Sequence, residues 1–534
     1  MRKQPRHTAA LLAVVLSGSV AAQRVYNRAQ YNMLDEARLL VDAGQWSEAH
    51  RIYKRLAPLD TTFTEVLFGM GLCEANMPDK QPLAAGHLED AVRHGHVEAQ
   101  YHLALARHRQ ERFTEEAALL EQYRVQRGRE VSDDVTARQL ATAQYAMALT
   151  ASPIHMRVRN LGAAINSPQH DYCPLITADG SILYFTSRRP GSMGGLKDGS
   201  GQYYEDIYTA TCQDGIWNRA VNIQGPVNTA MQDATVGLSP DGNEMVIYRA
   251  SEDMPMGDLY ITQRSQGRWS EPERMTDKIN SKAHEPSATV APDGTEIYFT
   301  SDRPGGFGGR DLYRIRRLPN GQWSEPLNLG AKVNTPFDED APFLHSDGTT
   351  LFFSSNGHNT MGGFDIFKAA LLDPDRNTWE TPVNMGYPLN TVNDDIYFCL
   401  SEDGRTGYFS SSREGGLGGQ DIHEVVFPTS QVEYILVQGV ITDANESPLK
   451  ARIMLTTDGT DEVFGLYNTN APTGRYIMAV RPGKVYHMQV VAEGFEPWEH
   501  ELEANDEDMS GTLFLDVPLV QGTKTADTRP SIDR

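Results

Sequence analysis

The sequence predicts a multidomain chain: α-helical hairpin repeats, then a five-bladed β-propeller, then a small β-sandwich. Three observations lead there. A unit of 52–62 residues recurs five times in the middle of the chain. The residues before it have helical periodicity with small side chains at close-approach spacing. The residues after it alternate apolar and polar, broken by turn pairs.

The repeat is clearest in Glu285–Trp323, EPSATVAPDGTEIYFTSDRPGGFGGRDLYRIRRLPNGQW. Its Asp-Gly pair recurs at Asp179, Asp241, Asp293, Asp347 and Asp403. A second aspartate, opening Asp-[Ile/Leu]-aromatic or a close variant, stands at Asp206, Asp258, Asp311, Asp365 and Asp421. Tryptophans close four copies, at Trp217, Trp269, Trp323 and Trp379. An asparagine lies thirteen residues before each Asp-Gly, at Asn166, Asn228, Asn280, Asn334 and Asn390. Asp-Gly between strand-forming runs is a hairpin signal, because glycine supplies the positive φ of a tight turn. Four strands per repeat with turns between them describe a propeller blade. The fifth copy stops at Phe427 without a tryptophan. Val158–Asn166 (VRNLGAAIN) matches Leu327–Asn334 (LNLGAKVN), so this segment is expected to complete the last blade.

Residues 24–130 read as helical. In ARLLVDAGQWSEAHRIYKRL (Ala37–Leu56), Ala37, Leu40, Gly44, Trp46, Ala49 and Tyr53 stand at tetratricopeptide positions. Tyr101–Tyr123 repeats the pattern with Ala104 and Phe113, and a degenerate copy between them holds Gly71, Ala84 and Leu88. Three helix pairs of this kind are expected to offer a concave face or a packing collar. A linker helix is expected within 131–155, capped by Ser132 and ended by Pro153. The propeller is placed at 156–428. Residues 433–521, with strands in Val437–Thr457, Gly474–Val480 and Arg481–Trp498, read as a small sandwich. The polar stretch 522–534 reads as a tail.

The motif SDRPGGFGGRDLY (Ser301–Tyr313) resembles the WD40-like, or PD40, repeats of bacterial envelope proteins. With the helical repeats and the sandwich, the chain is similar to periplasmic components of type IX secretion and gliding motility. The resemblance implies a carboxypeptidase-regulatory-like, transthyretin-like fold for the sandwich. It also implies that an outer-membrane barrel, a lipoprotein complex or other envelope proteins are the partners, with peptidoglycan a further candidate. After the sandwich the given residues read as a tail, so an OmpA-like domain of the kind usual in such proteins is not expected within 1–534.

Residues 1–22 have the form of a secretory signal: Arg2, Lys3 and Arg6, an apolar Ala9–Leu16, and Val20-Ala21-Ala22. Its apolar run is too short for a membrane helix. No cysteine precedes Cys73, so an exported chain that is not a lipoprotein is expected, in the periplasm and associated with the outer membrane. Net charge is −23, an acidic balance poorly suited to nucleic-acid phosphates. The four cysteines show no zinc spacing and point to no particular disulfide.

Eight residues before each Asp-Gly stands an acid: Asp171, Asp233, Glu285, Glu339 and Asp395. A ring of five carboxylates at one mouth of the propeller would bind a metal or a cationic group. Alternatively, each carboxylate accepts N–H bonds within its own blade, and presence in every copy favours this structural role. The loops Gly305–Gly309 and Gly415–Gly419 lack the Lys-[Ser/Thr] and the helix of a phosphate cradle, so they read as tight connections. Arg189, Arg303 and Arg413 are expected to pair with Asp311 and its equivalents. The first copy carries about ten extra residues around Lys197–Tyr204, the irregular place where a partner contact is expected. With no G-x-S-x-G and no H-E-x-x-H in the chain, the residues argue against an enzyme, a catalytic site or a cofactor. The expected function is a scaffold for protein–protein interactions. The alternative is a glycan- or peptidoglycan-binding module using the propeller mouth and Phe495 and Trp498 of the sandwich.

Overall fold

The computed structural model describes residues 26–522, apart from 127, 129, 179, 214, 240–241, 251–255, 293, 402–403, 429–434, 458–462, 470–472 and 505–511. The expected signal segment, most of the polar tail and four of the five Asp-Gly aspartates (Asp179, Asp241, Asp293 and Asp403) lie outside the described residues.

The fold class needs correction. Among the described residues seven short α-helices stand against thirty-one strands, so the chain is predominantly β and the expected α-helical tetratricopeptide-repeat domain is not borne out. Two compact units form, Met1–Leu140 and Ala141–Arg534, and the propeller and the sandwich share the second. The helices are α1 Arg28–Asp42, α2 Trp46–Leu56, α3 Thr64–Ala75, α4 Gln81–Arg93, α5 Glu98–Arg109, α6 Phe113–Gln126 and α7 Asp133–Ala151. They are not copies of one pair. Helix α3 is buried almost all round, from Val66 to Gly71 and at Cys73 and Glu74, while α1 buries only Leu34 and Ala37. Gly69 lies against the Tyr53 ring and Gly71 against Leu88, which brings α3 close to both α2 and α4. Periodicity of 3.6 identifies a helix, but says nothing of whether successive pairs stack equivalently. No helix among the described residues is long and apolar enough to cross a membrane.

The middle of the chain is a β-propeller of five antiparallel sheets. Their three inner strands are 171–176, 182–187 and 206–213 in blade one; 233–238, 244–249 and 258–265 in blade two; 288–290, 296–301 and 311–316 in blade three; 339–344, 350–355 and 365–373 in blade four; and 395–400, 406–411 and 421–426 in blade five. The second strand of each is covered by neighbours on both faces, so it reads as a continuous apolar run. Its centre, at Phe185, Ile247, Phe299, Phe353 and Phe409, is fully buried in all five copies. Burying such a side chain contributes roughly 1.5–3 kcal/mol.

The hairpin between first and second strands is looser than a two-residue Asp-Gly turn. In blade three Ala291 N–H reaches Glu296 C=O at 2.8 Å, while Gly294 N–H closes a turn onto Ala291 C=O at 2.8 Å. The glycine has φ +68°, a left-handed conformation that costs a residue with a Cβ about 1–2 kcal/mol.

The outer strand of blade five comes from before the first repeat. Arg157–Asn160 pairs antiparallel with Val426–His423, and Arg159 makes a bidentate ion pair with Glu424 at 2.8 and 2.9 Å. The repeated asparagines act as extra peptide groups. Asn334 accepts Leu312 N–H at 2.8 Å and donates to Leu312 C=O at 3.0 Å; Asn166, 256 residues away in sequence, does the same for Ile422 at 2.8 and 2.9 Å.

The C-terminal sandwich packs one sheet of 435–442, 475–480, 512–514 and 517–518 on another of 451–457, 463–468, 484–492 and 498–504. Its core includes Val437, Ile453, Met478, Tyr486 and Val490, with Phe495 and Trp498 partly buried against it.

Candidate functional site at the propeller mouth

Register puts the functional candidates at one end of the propeller. In blade one Asp171 faces Ser187 and Ser187 faces Asp206, so the first acid, the end of strand two and the second aspartate share that end. All five members of the predicted ring are there and all five are buried.

Each is held within its own blade. Asp171 Oδ2 accepts from Ser167 N–H and hydroxyl at 2.6 and 2.7 Å, and its Oδ1 accepts from Arg189 at 2.5 Å. Asp233 repeats this with Thr229 and Arg249, and Asp395 with Thr391 and Arg413. Glu285 takes Ser281, Ser301 and Arg303. Glu339 takes Thr335 N–H and hydroxyl and Ser355, each at 2.7 Å, but has no arginine, because Gly357 stands at that position. Burial without a cation pushes the Glu339 carboxyl up to about 7. The ring carboxylates therefore brace turns. Among the described residues no group of three or more His, Cys, Asp or Glu is arranged to hold a metal ion.

The arginines were expected on the second aspartates, and that pairing is corrected. Arg189, Arg303 and Arg413 reach Asp171, Glu285 and Asp395 instead. The arginine leaves the end of strand two, whose ladder partner is the first strand. The second aspartates have other duties. Asp311 accepts Phe307 and Gly308 N–H at 2.6 and 3.1 Å and Asn328 at 2.7 Å. The glycine-rich loop is thus an anion cradle filled by the chain's own carboxylate. Met193, Met361 and Leu417 donate their N–H to Asp206, Asp365 and Asp421 in the same way.

The clamps set an exposed apolar side chain at the loop tips of blades one, three and five, and Met256 of blade two is exposed as well. Met193 is 46% exposed, Met256 59%, Phe307 51% and Leu417 42%; Met361 of blade four is buried. The irregular loop of blade one is ordered around Asp198, which accepts Ser200 N–H at 2.8 Å, pairs with Arg188 and lies by the Lys197–Tyr203 bridge.

An inner rim was missed at the level of sequence. The ring-acid N–H of one blade bonds the C=O just before the second aspartate of the preceding blade: Asp233 to Glu205, Glu339 to Arg310, Asp395 to Phe364 and Asp171 to Gln420, at 2.7–2.9 Å. Backbone geometry is thus repeated where the side chains differ. Variation next to an unvarying aspartate was the available signal. Around this rim Tyr172 and Tyr397 stack at 5.9 Å, Arg310 pairs with Asp340, and Arg310 lies over Phe364 at 5.7 Å. Below it the axial cavity, lined in part by Cys173, Tyr397 and Cys399, is only about 40 Å³, room for little more than water. All four cysteines are free thiols, and burial pushes Cys173 up to about 12.

No family model and no curated protein matches the chain. Among solved structures it is similar to a glycoside hydrolase at 9% identity, covering 56% of this chain and 96% of the other, with a TM-score of 0.37. A thermostable family-43 glycoside hydrolase matches at 11% identity, 57% and 96% coverage and TM-score 0.31. An α-L-arabinofuranosidase from Lactobacillus brevis matches at 14% identity, 47% and 90% coverage and TM-score 0.30. The sequence-based exclusion of an enzyme is withdrawn, since these neighbours are glycoside hydrolases, and likeness at this level assigns no activity to the chain.

Proposed function

We propose that this chain is an exported interaction scaffold of a bacterial envelope, with the propeller's loop face as its protein-docking surface. The supporting observation is the set of loop-tip side chains Met193, Met256, Phe307 and Leu417, exposed on one face. Single exposed apolar residues are ordinary. Here three of the four, Met193, Phe307 and Leu417, have their backbone N–H clamped to a buried aspartate. A repeated structural device that holds apolar groups in water suits partner contact. The resemblance of Ser301–Tyr313 to PD40 repeats supports the setting: periplasm, type IX secretion or gliding, and an outer-membrane barrel or lipoprotein as partner.

Affinity capture from detergent-solubilised envelopes tests this, comparing wild type with a Met193→Ser, Phe307→Ser, Leu417→Ser variant, with peptidoglycan sedimentation alongside. Recovery of a barrel or lipoprotein by wild type, reduced at least about tenfold in the variant, is expected; that ratio corresponds to about 1.4 kcal/mol. Sedimentation with peptidoglycan and no envelope protein captured would overturn the proposal. That outcome would favour the second reading, a glycan module, for which the stacked Tyr172–Tyr397 pair beside acidic groups is the specific observation.

A further inference from the structure

We propose that Glu205, on the inner rim, forms a pocket for a cationic side chain, the guanidinium or ammonium of a basic segment in the docked partner. This inference rests on the docking reading above and names the partner's chemistry.

Glu205 is half-buried, and its own C=O is fixed by Asp233 N–H at 2.9 Å. Among the described residues no Lys, Arg or His forms an ion pair with it. Three arginines at this end have carboxylates of their own: Arg310 has Asp340, Arg188 has Asp198 and Arg189 has Asp171. Glu205 therefore has no cation of its own among the described residues, the nearby Arg188 and Arg310 being held by Asp198 and Asp340, and in its partly desolvated position an arriving cation gains more than it would at an open surface.

The groups around Glu205 suit such a cation. The Tyr172 hydroxyl lies beside its carboxylate, and Tyr248 and Tyr397 are near enough to sense its charge. Tyrosine faces attract ammonium and guanidinium groups through the ring quadrupole, and more strongly where water is thin. Tyr397 stacks on Tyr172 with 28° between the ring planes. A metal ion fits less well, since it would need several oxygen ligands and the neighbouring Asp340 is taken by Arg310. A basic partner also matches the chain's net charge of −23. The position is specific to one blade: its equivalents are Gly257, Arg310, Phe364 and Gln420.

The test titrates the full-length protein with two capped tripeptides, Gly-Arg-Gly and its neutral twin Gly-citrulline-Gly, followed by tyrosine ring NMR shifts. Wild type is expected to bind the arginine peptide about tenfold more tightly, the preference shrinking at high salt. Glu205→Gln, which keeps an acceptor for the Tyr172 hydroxyl, should abolish the preference. Tyr172→Leu, an independent variant that leaves the carboxylate, should reduce it severalfold. Equal affinity of wild type for the two peptides, or a preference that survives Glu205→Gln, overturns the pocket. If the pocket fails while capture still depends on the loop-tip residues, the docking reading stands. If arginine is recognised but no envelope protein is captured, docking fails and the pocket stands.

Discussion

Glu339 shows how one missing side chain alters a repeated motif. Its four counterparts have an arginine within hydrogen-bonding reach, and Glu339 has hydroxyls and an N–H alone. Its folded pKa is raised to about 7, against an unfolded value near 4.3. Between these values the folded chain holds a proton that the unfolded chain has lost. Stability from this group is therefore full below about pH 4 and falls as the pH rises toward 7, by on the order of 3 kcal/mol. Glu339→Gln should remove that decline, so urea midpoints of variant and wild type should lie closest at about pH 4 and separate progressively toward about pH 8, with the variant more stable. Asp206, raised by burial to about 6, and His423, lowered by burial to about 4, titrate in both proteins, so the comparison isolates Glu339. The spacing of the five acids was legible because it repeats. Their partners were not, because Arg189 meets Asp171 across a strand ladder rather than along the chain.

At the scale of the element, the glycine-rich loops are explained by what they touch. A Cβ on Gly308 would lie 2.0 Å from Phe337 C=O and 2.5 Å from Thr335 C=O, both in the next blade, and neither backbone oxygen can move cheaply. Gly305 in the same loop has φ +97° and open space around it. Gly308→Ala should therefore cost more than about 3 kcal/mol and Gly305→Ala about 1–2 kcal/mol, measured by chemical denaturation. Equal costs would refute the inter-blade explanation. The loops read from sequence as tight connections. That Gly308 is also the contact between blades three and four became visible only once those blades were adjacent.

At the scale of the molecule, ring closure depends on a strand about 260 residues from its partner, Asn160 against His423. Removing it would expose the edge Asp421–Val426, a template for pairing with another chain. A chain beginning at Leu161 should self-associate or aggregate in light scattering, while one beginning at Ser152 should behave as its parent does. Comparable behaviour of the two would show that closure contributes little. Blade number, hairpin sites and the closing strand were legible because each blade repeats the same local requirements: an asparagine to bracket a strand, a glycine at positive φ, a carboxylate to hold a turn. The helical residues were equally legible as helices, but the class assigned to the chain was not, since equivalence between helix pairs depends on how α3 packs, and α3 is buried on nearly every side. The amino-acid sequence by itself determined the repeated parts, whose hydrogen bonds are set by short, periodic spacings. Only the tertiary structure decided which arginine meets which carboxylate, which loop tips share a face, and that Glu205 lies beside the Tyr172 hydroxyl with no ion pair among the described residues, because those distances join strands and blades far apart in the chain.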